Sequence, residues 1–295
     1  MKFKKILFHT QFRQFAFNSL KTILELKRAG LTEVVLTFVI PREEVAFVPY
    51  GGYLKDVERY MRENAKLRFQ EWQKTISRMG VGSKIRIKTG IVNAAVLSIA
   101  KEEGIDLIVI GAKKRTTFEK VYVGSHILDV LRRSDVPVLM HKYKVRFESD
   151  EGVITQTNDR IFERPLIATD WSTPSENAVE TILGFKEIAK KGFVVHVIGS
   201  KLIRGAEQKE IDHIKNESEN RLNAYCLKLK DAGIDAEPRL SIGNPVLEIL
   251  RLSRETESTM IVMGKTGKDW MRQYWLGGVS HRVAELSELP VLLVP

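Results

Sequence analysis

The chain has 295 residues, 43% of them hydrophobic, with one cysteine and a formal net charge of +10. That length exceeds one ordinary domain, and its apolar share is enough for two cores. No apolar run approaches the roughly 20 residues that span a bilayer, and a lone Cys226 excludes an intramolecular disulfide and suits a reducing cytoplasm.

The N-terminal MKFKKILFHTQF lacks a long apolar stretch and a small-residue cleavage site, so it reads as a first strand rather than a secretion leader. A helical stretch follows, then the apolar run EVVLTFVI. Next, Leu54, Val57, Met61, Ala65, Trp72, Ile76 and Met79 recur at helical spacing and predict one packed face. KIRIKTG predicts a short strand, DLIVIG a buried one and VPVLM a last one, with helices between them. The polar stretch 141–164 has no helical period, and the domain boundary is placed in it, near residue 155.

The rhythm then repeats. PLIAT, FVVHVIG, EPRLSIG, TMIVMG and PVLLV supply five more strands, and Ile211, Ile214, Leu222, Tyr225 and Leu229 mark the long helix between the second and third. Cys226 sits in that helix and reads as a small core residue. GIVNAAVLSIAKEEGIDLIVIGAKK (90–114) aligns without gaps with GNPVLEILRLSRETESTMIVMGKTG (243–267), so the chain is a diverged tandem duplication. Strands alternating with helices predict parallel βαβ units, hence an α/β fold.

Charge divides unequally between the copies. Residues 1–150 hold 28 Lys and Arg against 16 Asp and Glu, whereas the remainder holds 19 against 21. A basic half raises nucleic acid or another acidic partner. No recognised nucleic-acid motif accompanies the charge, so a solvated basic face is the favoured reading.

In an open parallel sheet, ligands sit beyond the carboxyl ends of the strands. Gly264 and Gly267 lie at one such end, and Gly277, Gly278, Val279 and Ser280 open the next helix. Bare amides at a helix start favour an anion, and Ser280 adds a hydroxyl. Asp170 follows the first strand of the second copy at the same edge and can accept hydrogen bonds from ribose hydroxyls or a base. Ser172 or Thr173 is better placed to cap the following helix, which frees Asp170 for a ligand.

On these residues the second copy resembles a nucleotide-binding universal stress protein domain. The match rests on Gly264-x2-Gly267-x9-Gly277 followed by Gly278-Val279-Ser280, on Asp170, and on the Gly243-Asn244-Pro245 loop. The family carries Ser or Thr directly after its third glycine; Gly278 removes that hydroxyl and leaves the amide. The resemblance spans the chain as two domains, 1–150 and 160–295. It implies two tandem five-stranded parallel-sheet sandwiches of the adenine-nucleotide α-hydrolase-like kind. It further implies ATP or AMP, with magnesium admissible beside ATP, adenine near Val197, and a site completed by Thr169 and Met263. The first copy keeps Gly111, Gly124 and Ser125, but Lys114 and Gln11 stand where glycine and acid are expected. It is read as a degenerate, less favoured second site.

The reading is a regulatory nucleotide-binding protein of the stress response, cytoplasmic and expected as a homodimer, with no membrane partner and nucleic acid disfavoured. Slow ATP hydrolysis and a basic binding module remain the alternatives. No H-x-G-H pair, P-loop, CxxC pair or G-x-S-x-G elbow occurs, and the six histidines have no metal-ligand spacing.

Overall fold

A computed structural model of the chain describes residues 3–13, 16–45, 54–111, 125–142, 145–147, 154–156, 159–267 and 278–295. These fall into two compact units, one drawn from residues 2–112 and 123–139 and the other chiefly from 140–295.

In the first unit, β1 (Lys5–His9) buries Ile6, Leu7 and Phe8 and pairs in parallel with β2 (Glu33–Pro41). Between them run α1 (Ala16–Ile23) and a 3-10 turn. After β2 come the short α2 (Arg42–Val45) and α3 (Lys55–Arg78), then β3 (Gly82–Gly90), α4 (Val92–Glu103), β4 (Leu107–Gly111), α5 (Ser125–Arg133) and β5 (Val138–His141). The strand order is β5-β4-β1-β2-β3. The expected apolar stripe on α3 is only partly the packed one: Ala65, Phe69 and Ile76 are buried, while Val57 and Met79 are exposed. The outward face of this helix also carries large side chains into water, Tyr60 and Leu67 among them.

The polar stretch 141–164 contains an antiparallel pair, β6 (Val145–Phe147) with β7 (Ile154–Gln156). Three-residue strands are too short to show a period of two in the sequence.

The second unit repeats the plan with β8 (Pro165–Thr169), α6 (Thr173–Leu183), β9 (Lys191–Gly199), α7 (Gln208–Asp231), β10 (Asp235–Gly243), α8 (Pro245–Glu255), β11 (Met260–Gly264), α9 (Val279–Leu286) and β12 (Val291–Val294). Its order is β10-β9-β8-β11-β12. The fold is α/β with five parallel strands per copy. The α8 start is fixed by the Asn244 side chain, which accepts from the Val246 and Leu247 amides, with Pro245 in the first turn.

Lys142 secures the far end of α9. Its side chain is almost fully buried, and its ammonium donates to the carbonyls of Ala284 at 2.6 Å and Ser287 at 2.5 Å. The helix C-terminus concentrates carbonyl charge, which a cation offsets. Lys142→Met should therefore lower the stability of this unit by about 2 kcal/mol, read as a reduced urea midpoint at unchanged slope.

Burial also pushes the His141 imidazole down from its ordinary 6.5 to about 4. The unfolded chain takes up the proton first, so the stability contributed by neutral His141 is intact above pH 6.5 and lost as pH falls towards 4. Urea midpoints should fall across that window, and His141→Leu should remove that part of the fall.

Candidate functional site

The strand order reverses between β8 and β11. From β8 the chain proceeds to β9 on one side, and from β11 to β12 on the other. Such a switch point leaves a crevice beyond the carboxyl ends of the two strands. Met263 pairs in register with Ala168, so Gly264 lies level with Thr169 at the mouth of that crevice.

Asp170 follows directly. Its Oδ1 accepts from the Ser172 amide at 3.1 Å and from the Ser172 hydroxyl. This corrects the expected division of labour. Ser172 holds the cap position of α6, yet its hydroxyl is spent on Asp170 and makes no capping bond. One carboxylate oxygen is thereby fixed, which holds the other, Oδ2, against the backbone of Gly267. A Cβ on Gly267 would lie 2.4 Å from Oδ2. Gly264 is needed for a different contact. Its Cβ would lie 2.8 Å from Pro174 C and Ser175 N, so its missing side chain lets the start of α6 close on the end of β11.

Across the mouth, α9 begins. Gly278 caps it with φ −53° and ψ 170°, and its carbonyl accepts from the Arg282 amide. The amides of Val279, Ser280 and His281 precede the first intrahelical donor and point out of the helix start. The Ser280 hydroxyl, expected as a ligand donor, gives its proton to the Lys265 carbonyl at 2.7 Å. It ties α9 to the end of β11 instead. Gly277 lies outside the described residues.

The third wall was not anticipated. Trp171 adopts φ +66°, and its ring stacks 4.6 Å from His196 and 5.7 Å from Tyr225, with the Arg221 guanidinium 5.1 Å away. His196 Nδ1 meets the Thr169 carbonyl at 2.8 Å. The half-buried Val197 comes next on β9, and Gly243 ends the neighbouring β10. Trp171 adjoins Asp170 in sequence, but nothing in its spacing signals the left-handed backbone that turns its ring onto β9.

The first copy has the same frame with different contents. Phe12, also at positive φ (53°), packs on Phe38, Phe69 and Trp72, with the Arg68 guanidinium 5.0 Å from its ring. Gln11 stands at the position of Asp170, and its amide donates to the Val39 carbonyl at 3.2 Å. By strand register Val39 is the counterpart of Val197. Gly111 ends β4, and among the described residues nothing lies within 4 Å of a Cβ placed on it. Gly124 and Lys114 fall outside the described residues, as does the Ser125 side chain.

A model of the universal stress protein family matches residues 2–142 and again 162–295. A universal stress protein of Methanocaldococcus jannaschii is 30% identical over 156 residues, covering 48% of this chain and 96% of that protein. The universal stress protein YxiE of Bacillus subtilis is 29% identical over 147 residues, covering 45% and 99% respectively. A solved universal stress protein from Archaeoglobus fulgidus shares the fold with a TM-score of 0.70 at 22% identity, over 98% of this chain and 95% of that one.

Proposed function

The chain belongs to the universal stress protein family, and from that premise we propose that its second copy, within 160–295, binds one adenine nucleotide while the first copy, within 1–150, is a degenerate site. One observation carries the reading. The second crevice brings together an acid, a loop backbone pressed against that acid, and the amino-terminal turn of a helix. This is the donor and acceptor set that a ribose and its phosphates require. Adenine would lie by Val197, the ribose at Asp170, and the phosphates against Gly267 and the first turn of α9. In the first copy, the Gln11 amide already occupies the Val39 carbonyl, and no carboxylate stands at that position.

The role is sensing or signalling rather than catalysis. The Ser280 hydroxyl is engaged with Lys265, and burial pushes the Cys226 thiol up to about 11, far from a thiolate nucleophile at neutral pH. A nucleic-acid role for the basic half is disfavoured by its own pairing: Lys84, Arg86 and Lys88 on β3 meet Glu102 and Glu103 on α4. Equilibrium dialysis against ATP and AMP tests the proposal. About one equivalent per chain is expected; two equal equivalents would make the first copy live, and no uptake at millimolar nucleotide would remove the proposal.

A further inference from the structure

At the opposite, amino-terminal end of the strands, one copy has a buried carboxylate that the other lacks. In the first unit, Glu103 ends α4 with its side chain 5% exposed. It is held by three cations: Lys5 at 3.3 Å, Lys84 at 2.7 Å and Arg86 at 2.7 Å. Glu33 adds a second carboxylate, 3.3 Å from Lys5. The cluster is three positive charges around two negative ones.

The gapless alignment and strand registers give each residue a counterpart in the second unit. Lys5 corresponds to Arg164, Arg86 to Arg239, and the Glu33–Lys84 pair to its charge reversal, Lys191–Glu237. Glu103 corresponds to Thr256. Three cations are therefore retained while the buried Glu103 carboxylate is gone; Glu257, opposite Gly104, adds an exposed carboxylate that meets Arg164. Glu237 alone serves both Lys191, at 2.5 Å, and Arg239, at 2.6 Å. Thr256 does not substitute, because its hydroxyl turns back to Leu252 O at 2.8 Å and Ser258 Oγ at 2.7 Å. Glu255, a further acid at this end, is engaged by Arg251. Arg164 reaches Glu257 and the Thr256 carbonyl through its terminal nitrogens, but its Nε is buried without a hydrogen-bond partner.

Beside Thr256 there is a cavity of about 380 Å³, lined by these three cations, by the already paired carboxylates Glu237 and Glu255, and by Phe193 and Leu252. We propose that this cavity is a binding site for a small organic carboxylate, whose oxyanion takes the place that the Glu103 carboxylate fills in the first copy. The arrangement is favourable on two counts. A carboxylate would share the charge of Lys191 and Arg239 along the cavity wall, beside the Arg164 side chain. The space exceeds a carboxylate alone, so a few-carbon body has room along the Phe193 and Leu252 side. The negative end of α8 opposes an anion here, but the end of α4 opposes Glu103 equally and the three cations outweigh it.

Calorimetry on the intact chain tests the site, with sodium succinate and inorganic phosphate as probes at an ionic strength held constant with sodium chloride. Saturable succinate binding in preference to phosphate is expected. Thr256→Glu supplies an internal carboxylate and should weaken succinate at least about tenfold, as should Arg239→Gln. Asp170→Ala, in the other crevice, should leave succinate binding unchanged. Absence of saturable succinate binding, tighter binding of phosphate, or unaltered succinate affinity in folded Thr256→Glu and Arg239→Gln would each overturn the assignment.

Discussion

Gly264→Ala is expected to destabilise the second unit by about 3 kcal/mol or more, lowering its thermal midpoint by roughly 10 °C. The added Cβ would come within 2.8–2.9 Å of Pro174 C, Ser175 N and Pro174 Cβ. Two of those atoms are backbone, at the start of a helix whose next turns are packed on the sheet through the buried Ala178, Val179 and Ile182. They cannot step aside as the tip of a flexible side chain can. The same change in the first copy gives the internal control. Gly111 ends the equivalent strand, and among the described residues nothing stands within 4 Å of its Cβ direction, so Gly111→Ala should move stability by less than about 0.5 kcal/mol. Differential scanning calorimetry separates the two outcomes, and equal effects would mean that the close approach at Gly264 is not the constraint.

Asp170→Ala should weaken AMP about 100-fold without a comparable loss of stability. The carboxylate is held from two sides, by the Ser172 amide and hydroxyl on Oδ1 and by the close approach of Gly267 to Oδ2. A group so oriented loses little entropy when a ribose hydroxyl donates to it, and removing it leaves that hydroxyl unpaired. Gln11→Ala should leave AMP affinity unchanged, because Gln11 belongs to the other copy. Isothermal calorimetry on the three proteins checks both statements. An Asp170→Ala affinity within about threefold of the unsubstituted protein would detach this residue from the ligand.

Much of this was legible in the chain itself. The repeat could be read because 90–114 and 243–267 share glycines and apolar strands without a gap, and the sheet order follows from alternating strands and helices. Gly264, Gly267 and Asp170 could be picked out by type and position. Their mutual roles could not, since one glycine serves strand–helix packing and the other serves the carboxylate, a difference visible only at a Cβ. Ser280 and Ser172 were assigned by the hydrogen bonds their hydroxyls can make; the competing acceptors, Lys265 O and Asp170 Oδ1, are set by the fold. Gln11 stands in the sequence as a lost acid, but its bond to Val39 depends on a neighbouring strand. Thr256 opposite Glu103 passes as an ordinary divergence until three cations are found around each position.

The central claim is that one copy of this duplicated fold holds an adenine nucleotide and the other does not. Crystals grown with AMP test it most directly. Density is predicted in the crevice between Asp170, Val197 and Gly267, with none at the matching position beside Gln11 and Val39. Density beside Gln11, or an empty second crevice at saturating AMP, would contradict the account.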